Sequence, residues 1–125
     1  MEQSQALYPA DEIKLCALTD IDDGGSRGFL REGNEDRVFA VRQAGNVEVY
    51  LNSCPHVWRP LEYRHDRFLS AQRDQIICHA HGARFSIASG LCHYGPCMGE
   101  RLLRVEASVR DGDVYIRLPL PAPPH

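Results

Sequence analysis

Two short segments of the chain carry cysteine and histidine at spacings that suit metal binding. The first is Cys54-Pro55-His56, a C-x-H pattern, and the second runs from Cys78 to His81, a C-x-x-H pattern, with twenty-one residues between His56 and Cys78. Thiolates are soft ligands that bind zinc or iron–sulfur clusters, and imidazole binds zinc or iron. The four side chains therefore form a complete ligand set for one of these two metals.

The way in which the two segments share the ligands favours one of these centres. Zinc fingers place two cysteines in one segment and two histidines in the other, whereas each segment here carries one of each. This arrangement suits a [2Fe-2S] cluster in which two histidines replace two cysteines on one iron, because each segment can then reach both irons. A zinc site is the alternative.

With these motifs the chain resembles the Rieske [2Fe-2S] domain family, in particular its small bacterial ferredoxins and the ferredoxin-like components of oxygenases. Residues 54–56 with Pro60-Leu61 resemble the first cluster loop of the family, and residues 78–85, CHAHGARF, resemble the second. Gly95-Pro96 resembles the proline-containing third loop. The resemblance spans residues 13–118, which is nearly the whole chain.

The resemblance implies a role for each ligand of one [2Fe-2S] cluster per chain. Cys54 and Cys78 would bind the inner iron as thiolates, while His56 and His81 would bind the outer iron through one ring nitrogen each. Their other ring nitrogens would face solvent, which shortens the electron path to a docked partner. Because histidine ligands remove two negative charges compared with a four-cysteine cluster, the potential is raised.

The residues near the ligands indicate a low potential within the Rieske range of about −150 to +300 mV. High-potential members have serine and tyrosine two and four residues after the second histidine, where this chain has Ala83 and Phe85. Neither side chain can donate a hydrogen bond. High-potential members also join the two loops by a disulfide, at positions that are Arg59 and Ala80 here. We therefore expect a low-potential centre that accepts electrons from a flavin-containing reductase.

The expected function is one-electron transfer from that reductase to an oxygenase or another redox enzyme. An oxygenase needs a further domain with a 2-His-1-carboxylate iron, for which 125 residues leave no room. We therefore expect a redox component without catalytic residues rather than an enzyme. Two alternatives are a structural or regulatory subunit with zinc or a cluster that does not turn over, and a redox sensor with reactive thiols at Cys92 and Cys97.

The remaining cysteines and histidines have simpler interpretations. Cys16 alternates with apolar residues in a strand-like run, which indicates a structural thiol. Cys92 and Cys97 lie in and beside the third loop, and we expect two free thiols although they are close enough in sequence to bridge. His79 fits neither ligand spacing. The other histidines are expected at the surface or in the tail: His65, His93 and His125. Trp58, where many relatives have glycine, could be a docking contact or could pack over the cluster.

Composition and charge bound the class of protein. The chain is 43% hydrophobic and 25% charged, which is ordinary for one globular domain, and its net charge of −3 gives no reason to expect a nucleic-acid partner. Residues 54–104 contain seven arginines and four acidic residues, a basic half that is either solvated charge or a guide for an acidic partner. Without an apolar N-terminal segment, we expect a cytoplasmic protein with no membrane partner.

The segments that position these ligands have the pattern of short β-strands joined by turns. The expected strands are residues 13–18, 36–43, 47–51, 75–77, 83–87, 101–110 and 113–118. Residues 44–46 and Asp111-Gly112 are expected to turn hairpins, and no segment has sustained helical periodicity. We therefore predict an all-β, Rieske-like sandwich or barrel.

The predicted domain organisation has three parts. Residues 1–10 form a flexible N-terminal lead-in, residues 11–118 form the domain, and residues 119–125 form a Pro-rich, extended C-terminal tail. The cluster-binding subdomain would be two hairpin-like loops within residues 53–98, at one end of the domain.

Overall fold

Alternating apolar residues and frequent turn residues fold the chain into antiparallel β-sheets, which confirms the predicted fold class. This computed structural model describes residues 11–55, 60–61, 66–79 and 81–122, and within them there is one 3-10 turn, Leu18–Asp20, and no α-helix. The strands are β1 Glu12–Ala17, β2 Gly25–Glu32, β3 Glu35–Gln43, β4 Asn46–Leu51, β5 Ile76–Cys78, β6 Ala83–Phe85, β7 Cys92–Tyr94, β8 Arg104–Val105, β9 Ala107–Arg110 and β10 Asp113–Arg117.

The described strands form sheets in the orders β1-β10-β9, β2-β3-β4-β8 and β5-β6-β7. In the second sheet, the β3–β4 hairpin turns through Ala44 and Gly45, which have φ of +51° and +83°. Positive φ at both central residues is what a two-residue type I′ turn requires. No helix in the described part of the chain could span a membrane.

Two hydrophobic cores lie on opposite faces of the β2-β3-β4-β8 sheet, because successive strand residues point to opposite sides. The first core contains Phe39, Val41, Tyr50, Cys54, Leu61, Phe68, Ile76, Cys78, Ala83, Phe85, Ile87, Cys92, Cys97 and Leu102. The second core contains Cys16, Ile21, Val38, Ala40, Val49, Leu51, Val105, Val114 and Ile116. The first core therefore holds the candidate cysteine ligands, and the second core is built on β1 and β10.

The structure adds one long strand that the sequence pattern does not reveal. β2 pairs with β3 in one register from Gly25 to Glu32, although Leu30 within it has φ of +60°. The strand has no alternation of apolar residues, because its only large apolar residues, Phe29 and Leu30, are adjacent. Hydrogen bonds from other segments stabilise it, since Asp66 accepts the N–H of Gly28 through Oδ1 at 2.8 Å.

One further predicted strand differs in detail from its observed form, and the two ends of the chain are described only in part. The predicted strand over residues 101–110 is divided at Glu106, because β8 pairs with β4 whereas β9 pairs with β10. The predicted tail, residues 119–125, is described only to residue 122, and within that part Leu120 packs against the second core. The lead-in, residues 1–10, lies outside the described residues.

Candidate metal centre

The second candidate arm is a tight hairpin between β5 and β6. Cys78 is the last residue of β5, is 1% exposed, and pairs with Ala83, the first residue of β6. Gly82 has φ of +73° and donates its N–H to the carbonyl of Cys78 at 2.8 Å. Glycine is favoured in this backbone conformation because it has no Cβ. The turn places His81 at the surface directly beyond the buried thiol.

The first candidate arm begins where β4 ends. Cys54 is fully buried, and the preceding Asn52 is 6% exposed. The side chain of Asn52 donates to the carbonyl of Asp36 and accepts the N–H of Leu61, each at 2.9 Å. The carbonyl of Leu61 in turn accepts the N–H of His79 at 3.0 Å. Asn52 and Leu61 therefore tie the first arm to the second.

The connection between the arms is anchored on the four-stranded sheet. The ring of Phe68 stacks on that of Phe39 with centroids 4.4 Å apart, and its carbonyl accepts the N–H of Ile77 at 2.9 Å. Both phenylalanines are fully buried. The packing of Phe68 thereby fixes the path of the chain into β5 and hence the position of Cys78.

The segment that contains Gly95-Pro96, residues 92–100, is called the third loop here, and it folds against the second arm. The N–H of Cys92 donates to the carbonyl of Glu100 at 2.8 Å, and the N–H of Gly99 donates to the carbonyl of Cys92 at 2.9 Å. Gly95 has φ of +102°, and a Cβ at this position would lie 2.8 Å from the Cα of Ala83. Only glycine fits this close approach without a shift of the loop.

The candidate ligands differ in their surroundings. Cys54 and Cys78 lie in the same core, whereas His81 is exposed. His56, the fourth candidate, lies outside the described residues. Within the described ranges, no three cysteine, histidine or acidic side chains are gathered around one point as for a single metal ion. The second arm thus places a buried thiol and a surface imidazole three residues apart.

Two buried residues of β6, directly after the second arm, have side chains that cannot donate a hydrogen bond. Ala83 and Phe85 are both fully buried in the first core. Cys92 is paired with Phe85 across β6 and β7. The thiols of Cys92 and Cys97 are free, as predicted, and the Sγ of Cys97 donates to the Sγ of Cys92 at 2.9 Å. Sequence spacing alone could not show this contact, because it depends on the fold of the third loop.

Other residues singled out in the sequence are placed as follows. His79 is exposed, its side chain hydrogen-bonds the backbone of Arg67, and partial burial lowers the pKa of its imidazole. His93 is exposed and Cys16 is buried in the second core, as predicted. The remaining ones lie outside the described residues: Trp58, Arg59, His65, Ala80 and His125.

Sequence reasoning missed two residues that hold the arms together. The signal for Asn52 is a polar residue directly after the apolar strand β4, where its side chain can replace backbone hydrogen bonds. Tyr50 is fully buried, and its hydroxyl donates to the carbonyl of Ile87 at 2.6 Å. Burial raises the pKa of this phenol to about 12. In β4, Tyr50 shares a face with the polar residues Asn46 and Glu48, so alternation predicts neither its burial nor the partner of its hydroxyl.

Comparisons with known proteins show what this fold and sequence are similar to. In solved structures, the chain is similar to one in a complex of reduced oxygenase and oxidised ferredoxin in carbazole 1,9a-dioxygenase, at 25% identity and a TM-score of 0.67, covering 86% of this chain and 93% of that one. It is also similar to the Sphingomonas yanoikuyae B1 ferredoxin, at 25% identity and a TM-score of 0.65, covering 86% of this chain and 99% of that one.

The ferredoxin of carbazole 1,9a-dioxygenase from Nocardioides aromaticivorans IC177 shares the fold, at 22% identity and a TM-score of 0.67, covering 85% of this chain and 96% of that one. No curated protein sequence matches the chain. Residues 11–115 match the sequence profile of the Rieske [2Fe-2S] domain. Since this match covers most of its length, the chain belongs to the Rieske [2Fe-2S] domain family.

Proposed function

We propose that this protein is a one-electron carrier that takes electrons from a flavin-containing reductase and passes them to an oxygenase or another redox enzyme. The observation that carries the proposal is the second arm, where buried Cys78 is followed by exposed His81. Such an arm can hold one side of a redox centre inside the protein and present the other side at the surface. The family match and the likeness to ferredoxins support the same role.

The residues present fit a Rieske [2Fe-2S] cluster by their chemistry. Cys54 and Cys78 would hold the inner iron and His56 and His81 the outer iron. A thiol must lose its proton to bind a metal, and two thiolates in one apolar core are costly unless a cation compensates their charge. Both cysteines are 1% exposed or less. When bound, the cluster supplies one-electron storage, while the core excludes water from its inner side.

The lack of a side-chain donor at two buried positions of β6 supports a potential near the low end of the family range. Hydrogen bonds to the cluster sulfurs raise the potential because they stabilise the more negative, reduced state. The buried side chains of Ala83 and Phe85 supply no such bond. A low potential suits a carrier that delivers electrons from a flavin to an oxygenase.

An oxygenase as acceptor is supported by the matched complex, in which a ferredoxin and an oxygenase of carbazole 1,9a-dioxygenase occur together. The third loop also has a surface suited to protein contact. Tyr94 and Met98, 61% and 65% exposed, are two of the three large apolar side chains that are exposed in the described ranges. Exposed apolar residues beside the second arm can contact a partner near the exit point for the electron. We propose no catalytic residue.

The first experiment measures iron and acid-labile sulfide in anaerobically purified protein, together with the EPR spectrum after dithionite reduction. We expect two irons, two sulfides and a Rieske-type signal for each chain. Zinc without sulfide would instead establish the alternative of a structural site, which none of the matched proteins supports.

The ligand assignment is tested by substitution of one ligand from each arm. Cys54→Ala and His81→Ala are expected to lose the Rieske signal and most of the iron, because each removes a direct metal bond. Cys16→Ala and His93→Ala are matched controls, one buried in the second core and one exposed on β7. A full cluster in either ligand variant would refute the assignment of that residue.

A further inference from the structure

Cys92 and Cys97 form a close pair of buried thiols that electron transfer does not require. Their sulfurs are 2.9 Å apart, and the residues are 1% and 2% exposed. The Sγ of Cys92 in turn donates to the carbonyl of Tyr94 at 3.3 Å. A disulfide has a sulfur–sulfur distance of about 2.05 Å, so the two atoms need to approach by only about 0.9 Å.

The backbone around the pair holds it in this position. The N–H of Glu100 donates to the carbonyl of Cys97 at 2.9 Å, while the N–H of Cys92 donates to the carbonyl of Glu100 at 2.8 Å. Both cysteines therefore belong to one hydrogen-bonded loop, whose two sides meet at Glu100. A bond between their sulfurs would close a loop that the backbone already closes, at little cost in conformational entropy.

The two thiols are buried but lie close to the protein surface. Pro96 and Met98, on either side of Cys97, are both exposed. A local opening of this loop is sufficient to expose the thiols, and such openings cost less than unfolding of the whole domain. Burial raises the pKa of the Cys97 thiol to about 12, so the closed, reduced pair is protected and exchange depends on opening of the loop.

We propose that Cys92 and Cys97 form a reversible disulfide in the folded, cluster-loaded protein by exchange with a small-molecule disulfide of the glutathione class. One cysteine, as thiolate, attacks the small disulfide, forms a mixed disulfide and releases one small thiolate. The second cysteine then attacks the mixed disulfide, and the protein disulfide forms as the second small thiolate leaves. The two protons of the cysteines end on the two released thiols, so two thiols are oxidised and one disulfide is reduced.

The position of the pair gives the disulfide a structural effect. Cys92 is paired with Phe85, and Gly95, between the two cysteines, packs on the backbone of Ala83. The disulfide therefore limits the movement of the third loop away from the second arm. The proposed disulfide is argued from the residues of the third loop alone, so it holds whichever redox partners the protein has.

The test uses the cluster-loaded full chain, incubated anaerobically with oxidised glutathione, then quenched, digested with trypsin without reduction and analysed by mass spectrometry. Cleavage after Arg84 and Arg101 leaves Cys92 and Cys97 together in the peptide of residues 85–101, which contains no other cysteine. We expect this peptide to lose two hydrogens while the iron content of the protein is unchanged. Treatment with dithiothreitol should restore the two hydrogens. Failure of the cluster proposal would appear separately, in the iron content.

Three results would overturn the disulfide: a peptide that stays reduced, a stable glutathione adduct on either cysteine in place of the bridge, or a bridge that appears only as iron is lost. Cys97→Ala cannot form the bridge, and its peptide is expected to keep the single thiol hydrogen of Cys92 or to gain one glutathione there. Cys16→Ala removes another buried thiol and is expected to form the bridge as the natural sequence does. A loss of two hydrogens in the Cys97→Ala peptide would also refute the pairing.

Discussion

Ala83 occupies the first position of β6, two residues after His81, and its methyl group is fully buried against the third loop. A residue with a hydroxyl at this position would lie beside the second arm. The protein therefore has a site at which one added oxygen atom can change the surroundings of the cluster without changing its ligands.

Ala83→Ser is expected to raise the reduction potential. A hydroxyl that stabilises the reduced cluster by about 1 kcal/mol raises the potential of a one-electron couple by roughly 40 mV. Potentiometric titration followed by EPR measures the change, and Ala107→Ser, in β9 beside the second core, is the control. An unchanged or lower potential in Ala83→Ser would contradict our account of the low potential.

Single residues differ in how well the sequence predicts them. The candidate ligands can be recognised because metal chemistry restricts both their types and their spacing. The role of Asn52 cannot, since its partners are a carbonyl sixteen positions earlier and an N–H nine positions later. The contact between Cys92 and Cys97 cannot be recognised from the sequence either, because it exists only after the third loop has folded.

Among the elements, the strands with clear alternation and a turn dipeptide were predicted closely. Ala44-Gly45 and Asp111-Gly112 both have positive φ at both positions, as hairpin turns require. β2 was missed because its side chains are polar at several positions, and its pairing with β3 and Asp66 outweighs a weak local preference. β7 was missed because its three residues lie within a loop that is defined by its proline and glycines.

The third loop provides a matched pair of glycines. Gly95 and Gly99 have φ of +102° and +93°, but a Cβ at Gly95 would meet the backbone of Ala83 whereas a Cβ at Gly99 would meet nothing within 4 Å. Gly99→Ala is expected to lower the free energy of unfolding by about 1 kcal/mol through backbone strain alone. Gly95→Ala is expected to cost about 2–4 kcal/mol, because overpacking adds to the strain.

Denaturant unfolding followed by far-UV circular dichroism measures both variants against the natural sequence. The difference between the two alanine variants isolates the contact of the third loop with the second arm. Equal losses of stability would show that this contact is loose, and they would also weaken the proposed effect of a disulfide on the second arm.

At the scale of the whole molecule, Tyr50 joins the four-stranded sheet to the segment that follows β6. The phenol is fully buried, and its hydroxyl donates to the carbonyl of Ile87. Arg104 lies over the ring, 5.3 Å from its centroid, and also contacts Glu48 and the carbonyl of Ala88. These contacts fasten the sheet of the second arm to the rest of the protein.

Tyr50→Phe is expected to change the alkaline dependence of stability. Burial raises the pKa of Tyr50 to about 12 in the folded state, compared with about 10 in the unfolded chain. The contribution of the Tyr50 hydroxyl to the free energy of unfolding is therefore complete below pH 10 and is lost as the pH rises towards 12. The variant, which lacks one hydrogen bond, is expected to be about 1 kcal/mol less stable at pH 8.

This difference should shrink and disappear as the pH rises above 10, because the natural protein loses stability there through Tyr50 and the variant does not. Unfolding free energies at several pH values from 8 to 11 measure the trend. A difference that stays constant with pH would mean that the phenol ionises as easily in the folded as in the unfolded protein.

The fold class was predictable from many short strands and frequent turns, but the arrangement of two cores was not. Both cores use the β3–β4 hairpin: Phe39 and Tyr50 face the first core, whereas Val38 and Val49 face the second. Local alternation in these strands shows that two faces exist. It does not show that both are buried, because that depends on β1 and β10 from the two ends of the domain covering the second face.

The two-faced hairpin also restricts how this protein can diverge in evolution. Substitutions at odd and even positions of β3 act on separate cores, so each core can change its side chains while the other stays constant. A single inserted or deleted residue within the strand would instead exchange the two sets, because the side-chain period is two. Descendants of this sequence should therefore vary in the side chains of β3 and β4 while their spacing stays fixed, with length changes confined to the turns.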